Sequence, residues 1–234
     1  VTRTFTRSEN AYGYIYALSA TGSPGDVSYI AAPSLTRSRG DRTAFTYDSL
    51  GRQRVRIDPS GARTYYLYDK QSRKVADIAA DGAVVEYRYD AVGRVVASVA
   101  YQTPLTAAQL ATLVDGFNNP TNVELASARP AATASDRWSW TVYDRAGRAI
   151  ETIDASGATT EFIYDAAGRV KTQWKRYYPL SAGQIDSFKT TPPAARVVPA
   201  DYPGMDRQTQ FYYDGDGLLV GSMDEEGYLT RNLY

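Results

Sequence analysis

A chain of 234 residues with 43% apolar and 22% charged residues has the composition of a folded protein, long enough for one large domain or two small ones. Its 26 basic residues balance its 26 acidic ones, which leaves no basic footprint for nucleic acid or anionic lipid, and no apolar run of about 18 residues marks a membrane helix. With neither Cys nor His the chain lacks a disulfide framework, a thiolate metal site, a cysteine nucleophile and an imidazole base, so no catalytic, metal or cofactor residue is expected.

In chain order, residues 1–8 alternate Thr2, Thr4 and Thr6 with Arg3, Phe5 and Arg7, a strand pattern. Glu9-Asn10-Ala11-Tyr12-Gly13-Tyr14 reads as a decayed copy of a phrase that recurs later, and Tyr14 to Leu18 as its outgoing strand. Residues 19–40, rich in Ser, Gly, Pro and Ala, read as loop. From Asp41-Arg42 onward the phrase is regular. It occurs as Tyr47-Asp48-Ser49-Leu50-Gly51-Arg52, then Tyr68-Asp69-Lys70-Gln71-Ser72-Arg73, then Tyr89-Asp90-Ala91-Val92-Gly93-Arg94, at 21-residue spacing. It returns as Tyr143-Asp144-Arg145-Ala146-Gly147-Arg148 and, 21 residues on, as Tyr164-Asp165-Ala166-Ala167-Gly168-Arg169. A last copy, Tyr213-Asp214-Gly215-Asp216-Gly217-Leu218, stands 21 residues before Tyr234. Such a period sets the architecture.

Each unit divides into two strands and two turns. In Asp-x-x-Gly the Asp side chain bonds the backbone ahead of it and the Gly takes positive φ. A second turn follows at Asp58-Pro59-Ser60-Gly61, Ala79-Ala80-Asp81-Gly82, Asp154-Ala155-Ser156-Gly157 and Asp224-Glu225-Glu226-Gly227. Short strands joined by such turns make an antiparallel β-meander. The fifth residue after the Arg slot is apolar throughout (Ile57, Ile78, Val99, Ile153, Trp174, Met223), and Phe45, Tyr66, Tyr87, Phe162 and Phe211 precede the motif Tyr by two. Overlaying these, with Thr141 the exception, predicts one face of aromatics and aliphatics and a largely polar opposite face of mixed positions such as Glu86, Arg88, Glu161 and Ile163.

Two inserts break the period, residues 101–138 and 175–208. They resemble each other in Pro104-Leu105-Thr106-Ala107-Ala108-Gln109-Leu110 and Pro179-Leu180-Ser181-Ala182-Gly183-Gln184-Ile185. Thr106 and Ser181 are predicted N-caps of short helices, each preceded by a Leu staple. Both inserts close on Asp-Arg, Asp136-Arg137 and Asp206-Arg207, and both replace a second turn. They are therefore expected along one edge of the sheet, with the Tyr-Asp edge left plain. Trp138, Trp140 and Trp174 are expected as anchors where inserts meet sheet.

The phrase Tyr-Asp-x-x-Gly-Arg at this period resembles the YD repeat of the RHS family, which includes bacterial polymorphic toxins, shell subunits of insecticidal toxin complexes and teneurins. The resemblance covers roughly residues 41–100, 139–174 and 209–234, and departs from the pattern at Ser72 in a Gly slot and Leu218 in an Arg slot. It implies a mainly β fold, an antiparallel β-meander of hairpin units spiralling into part of a hollow shell. The expected organisation is one repeat array that is a fragment of a larger protein: 1–40 degenerate repeat plus loop, 41–100 repeats, 101–138 insert, 139–174 repeats, 175–208 insert and 209–234 repeat. The implied partners are neighbouring repeats of the same parent chain and an enclosed toxin or other cargo polypeptide, and the implied location is secreted or cell-surface.

Three functional readings differ in class. The favoured one is a non-enzymatic wall that sequesters cargo, with the motif residues as structure. The alternative is an adhesin or carbohydrate-binding module, in which Tyr faces stack on sugar rings. Ranked third is a carboxylate-based hydrolase. Bland readings account for the sharper motifs. Asp58-Pro59-Ser60-Gly61 is similar to the self-cleavage site of RHS core domains, but it fills an ordinary turn slot that Asp154-Ala155-Ser156-Gly157 fills without proline. Asp224, Glu225 and Glu226 lack the alternating spacing of a calcium loop and read as a solvated turn.

Overall fold

The computed structural model describes residues 3–6, 17–20, 42–117, 119–197 and 205–234. The chain divides into two compact units, Val1–Gly40 and Asp41–Tyr234. In the first, strand β1 (Arg3–Thr6) pairs antiparallel with β2 (Ala17–Ala20). The decayed repeat phrase at Glu9–Tyr14 and the loop beyond Ala20 lie outside the described residues.

The second unit carries thirteen strands. They are β3 (Ala44–Tyr47), β4 (Gln53–Ile57), β5 (Arg63–Tyr68), β6 (Lys74–Ile78), β7 (Val84–Tyr89) and β8 (Val95–Ala100), then β9 (Arg137–Tyr143), β10 (Ala149–Asp154), β11 (Thr159–Tyr164) and β12 (Val170–Lys175), and finally β13 (Arg207–Tyr213), β14 (Leu219–Met223) and β15 (Leu229–Arg231). They form a single antiparallel sheet in sequence order, open at β3 and β15. The predicted meander is what the turns enforce. At every Tyr-Asp turn the Asp N–H donates to the carbonyl four residues on, and the Gly-slot N–H donates back to the Asp carbonyl, as in Asp90 to Arg94 at 3.0 Å and Gly93 to Asp90 at 3.1 Å. The Asp carboxylate accepts two further N–H groups, Val92 and Arg94 in that unit. This is a three-residue hairpin loop closed by a residue in the left-handed region. The second turns have the same backbone, for example Asp154 to Ala158 and Gly157 to Asp154, both 3.0 Å.

The two faces differ from the overlay. In every Tyr-Asp hairpin the ladder skips one residue on the outgoing strand, so that Tyr68 faces Lys74 while Leu67 faces Ala76, and Tyr143 faces Ala149 while Val142 faces Glu151. That bulge inverts the alternation between the two strands. Ile78 therefore lies opposite Tyr65 and Val84, and Ile153 opposite Trp140 and Thr159, whereas Tyr66 lies opposite Asp77 on the other face. Glu86 and Glu161, expected on the polar face, belong to the aliphatic one and are buried there. The core is built on that face from Val55, Leu67, Ile78, Val84, Val99, Trp140 and Ile153, all nearly inaccessible.

The inserts close this core. The first holds α1 (Ala107–Ala111) and a further short helix, α2 (Leu125–Ala128); the second holds α3 (Ala182–Thr190). Thr106 and Ser181 cap α1 and α3 through full capping boxes with Gln109 and Gln184. Both inserts leave from the second-turn end as predicted, but they do not stay on that edge. Each folds back across the aliphatic face over strands that precede it. The first delivers Leu105 to the Gly82 turn and the Thr121 carbonyl to Arg54 on β4. The second delivers Leu180 to the Gly157 turn, Phe188 to Trp140 on β9 and the Val197 N–H to Glu151 on β10. An unpaired apolar sheet face has to be covered by something, and these straps cover it.

Candidate functional site

Two constructions repeat along the sheet, one at each end of the hairpins. At the Tyr-Asp end, the Arg of each phrase bonds its own Asp through Nε, at 2.8 Å for Arg52–Asp48, 2.7 Å for Arg73–Asp69 and 2.6 Å for Arg94–Asp90. Arg148–Asp144 and Arg169–Asp165 repeat the pair at 2.7 Å. The same guanidinium lies over the tyrosine ring of the next phrase: Arg52 over Tyr68, Arg73 over Tyr89, Arg94 over Tyr143, Arg148 over Tyr164 and Arg169 over Tyr213, at 4.6 to 5.0 Å. Four of these arginines also donate to the next phrase's Asp carbonyl. That Tyr hydroxyl in turn donates to the carbonyl just after the previous Arg slot, as Tyr89 does to Lys74 at 2.6 Å and Tyr164 to Ala149 at 2.7 Å. Planar, permanently charged arginine suits the combined fork and stack better than lysine.

Every motif residue but Tyr47 thus has a place in this lattice or in its turn. Gly51, Gly93, Gly147, Gly168 and Gly217 hold φ between +75° and +89°. Ser72 takes φ +61° in the same slot. Tyr47, on the edge strand β3, is more than half exposed, and Leu218 leaves Asp214 without the arginine fork. In Asp48, Asp69 and Asp90 partial burial pushes the carboxyl up, but the N–H donors and the arginine outweigh it and hold each below its ordinary value. In Asp144 and Asp165 the backbone N–H of the following Arg is the leading cause of the same depression.

At the other end stand the strap clamps. Leu105 N–H donates to the Gly82 carbonyl at 2.8 Å and Leu180 N–H to Gly157 at 2.9 Å, while Tyr101 N–H meets Val84 and Arg176 N–H meets Thr159, both at 3.0 Å. Asp136 and Asp206, the Asp of each closing Asp-Arg, tie the insert ends together. Asp136 accepts from Gln102 and Thr133, and Asp206 from Tyr177 and Arg176. Beneath the straps lie the buried glutamates. Glu86 accepts from Arg129, Arg88 and the Tyr101 hydroxyl, and Glu161 pairs with Arg176 and Arg196. Burial pushes the Glu86 carboxyl up, but Arg129 and Tyr101 outweigh it and hold it below its ordinary value.

Glu151 is different. It lies directly across from Glu161, is fully buried, and has one oxygen on the Val197 N–H and the other without a partner among the described residues. Burial, reinforced by the Glu161 charge, raises its carboxyl to about 7 against the pull of the Val197 N–H. These carboxylates were visible in the sequence only as polar strand residues. The signal that could have found them is that Glu86 and Glu161 both stand three residues before a motif Tyr that is followed by an insert.

Trp138 and Trp140 sit where strap meets sheet, their rings stacked at 5.7 Å, with Arg88 over Trp138 and the Trp140 indole N–H donating to the Phe188 carbonyl. Arg88 also donates to the Lys189 carbonyl. Straps and strand ends enclose open concavities. One of about 540 Å³ lies between Arg52, Arg54, Lys70 and strap residues Val123 and Leu125, and one of about 370 Å³ between Tyr89, Arg94, Tyr143 and Pro192-Pro193. Among the described residues no three acidic, His or Cys side chains gather as a metal site, and no helix is long and apolar enough to cross a membrane. Chemically the arrangement locks hairpin to hairpin and strap to sheet. Of the buried carboxylates, Glu86 and Glu161 are held by arginines and Glu151 is fully buried.

A family model described as RHS Repeat matches residues 143–175, the span from the Tyr143 phrase through β10, β11 and β12. That stretch is similar to an RHS repeat. No curated protein matches the chain. Among solved structures it is similar to TcdB2-TccC3-Cdc42, at 13% identity and a TM-score of 0.45, covering 82% of this chain and 10% of that one. It is also similar to TcdB2-TccC3 at 15% identity and a TM-score of 0.37, covering 82% and 11%. For the Photorhabdus luminescens Tc holotoxin pore carrying a TccC3 mutation the figures are 14%, 0.23, 82% and 13%. The chain spans about a tenth of the length of the solved chains it matches.

Proposed function

We propose that this chain is a wall segment: a structural, non-catalytic stretch of an RHS-type shell that keeps a toxin or other cargo polypeptide sequestered. One observation carries the reading. Each hairpin is stapled to the next by the Arg–Tyr–carbonyl lattice, so the sheet extends by adding units in sequence, and the straps cover the aliphatic face of the strands that precede them. Such a sheet gains stability unit by unit and twists as it grows. The repeated Tyr, Asp, Gly and Arg are then structural residues, and the neighbours they require are further repeats of the parent chain. The motif hydroxyls from Tyr68 to Tyr213 and at Tyr234 are spent on backbone carbonyls rather than offered to a sugar. A secreted parent follows from the toxin-shell reading.

The test places a protease-sensitive reporter polypeptide in the cargo position of the parent protein. The expected result is a reporter resistant to added protease until denaturant opens the repeats. Digestion at the rate of the free reporter would overturn the reading. A glycan array probed with the isolated chain checks the adhesin alternative, with no specific binding expected.

A further inference from the structure

We infer that the second strap is a proton-controlled latch: its Arg196–Val197 end lies closed on β10 while the Glu151 carboxyl keeps its proton and lifts when that carboxyl ionises, whereas the first strap carries no such control. The two straps are otherwise one construction. Leu105 and Leu180, Glu86 and Glu161, and the capping residues Thr106 and Ser181 each stand 75 residues apart. The residue 75 positions before Glu151 is Ala76. Ala76 faces Glu86 across the β6–β7 ladder as Glu151 faces Glu161 across β10–β11, and both are fully buried. The second dock therefore holds a buried carboxyl where the first has only a methyl group.

The groups around Glu151 leave its charge uncompensated. Strand β9 presents Val142 to it and β11 presents Glu161. The strap contributes Arg176, Arg196 and the Val197 N–H, which donates to Oε2 at 2.9 Å, while Oε1 has no partner among the described residues. Both guanidiniums are paired with other carboxylates: Arg176 with Glu161 and, at 2.9 Å, with Asp206, and Arg196 with Glu161 at 3.4 Å. Three carboxyls thus share two guanidiniums, and the set is neutral only with a proton on Glu151. At the first dock Glu86 alone meets Arg88, Arg129 and the Tyr101 hydroxyl, so no carboxylate there is short of a partner.

Lifting the strap end admits water to Glu151 and removes the Val197 donor. Arg196 is partly exposed, so lifting begins there. Burial, with Glu161 beside it, raises the carboxyl to about 7 under the closed strap. Once released, the carboxyl returns to its ordinary value near 4.3. The closed state therefore holds the proton more tightly than the open one. Below about pH 4 both states are protonated and the latch is closed at full strength. As pH rises toward 7 the open state alone gives up its proton, the open-to-closed ratio climbs, and above 7 the climb stops. Between about pH 5 and pH 8 the ratio changes roughly 70-fold.

The experiment follows amide hydrogen exchange in the chain from about pH 5 to pH 8, corrected for the intrinsic pH dependence of exchange. It reads the Val197 N–H against the Thr121 N–H of the first strap, which donates to the Leu113 carbonyl. Protection at Val197 is expected to fall at least about tenfold more than at Thr121. Glu151→Gln keeps an acceptor for Val197 but has no proton to release, and its Val197 protection is expected to keep pace with Thr121 over the same range. A smaller difference between the two straps, equal loss in both (the mark of global unfolding), or the same pH dependence in Glu151→Gln would each overturn the proposal.

Discussion

The two ends of the hairpins use one backbone turn for two purposes. At the Tyr-Asp end the glycine serves only its dihedral: Gly51, Gly93 and Gly147 have open space where a side chain would go. At the second-turn end Gly82 and Gly157 hold the same positive φ, yet they also receive the backbone of a strap leucine. Stability at the first end comes from polar staples between neighbouring units. At the second it comes from apolar burial delivered by segments far along the chain. Identical local chemistry can therefore carry unequal weight.

The sharpest way to break that comparison is to put alanine at both ends. Gly93→Ala pays the positive-φ cost of about 1–2 kcal/mol, while Gly82→Ala adds expulsion of Leu105 from its seat, for a total of roughly 3–5 kcal/mol. Chemical denaturation reads the difference, and hydrogen exchange should show the first strap opening only in Gly82→Ala; equal losses would show that the strap contact contributes nothing.

Next is Glu151. Its folded carboxyl, raised to about 7, lies above the ordinary value near 4.3, so the penalty for ionising it is absent at low pH, grows as pH rises between those values, and is complete above 7. Glu151→Gln keeps an acceptor for Val197 and should stabilise the fold by roughly 3 kcal/mol at pH 8, with the gain vanishing near pH 4. A pH-independent difference would contradict the burial argument. The motif aspartates Asp48, Asp69, Asp90, Asp144 and Asp165 work in the opposite direction. Their depressed carboxyls stabilise the fold above the ordinary carboxylate range, and that contribution is lost as pH falls through and below it.

A smaller effect is expected in the lattice. Arg94→Gln removes the Asp90 fork, the Tyr143 stack and the bond to the Asp144 carbonyl, all partly exposed, at a cost of about 1–2 kcal/mol. Arg94→Lys should recover only part of it, since an ammonium cannot fork and stack at once. Full rescue by lysine, measured by thermal unfolding, would reduce the lattice to simple charge pairing.

The smallest effects come from the two departures from the repeat. Ser72→Gly relieves a positive φ and should gain about 0.5–1 kcal/mol. Leu218→Arg should supply Asp214 with its missing fork, for about 0.5 kcal/mol. If neither raises the midpoint of unfolding, the consensus phrase is not the stability optimum.

Much of this was legible from spacing alone. Asp and Gly at fixed offsets dictate a turn whatever surrounds them, so the Tyr89 and Tyr164 units could be placed as hairpins, and Thr106 and Ser181 as caps, without coordinates. The faces could not, because one skipped residue after Lys74, Val95 or Ala149 leaves no mark in composition yet reverses which side chains share a surface. For the same reason Glu86 and Glu161 looked solvent-facing. Nor could the pairing of Arg73 with Tyr89 be separated from its pairing with Asp69, since both lie within reach of one long side chain.

The order of residues by itself settled the period, the turns and the sequence of strands, since those depend on neighbours a few positions apart. Which face is buried, what covers it, and which carboxylates lie sealed beneath were decided only when distant segments met. Burial is a property of the assembled layers, and no local stretch of chain specifies what will be laid across it.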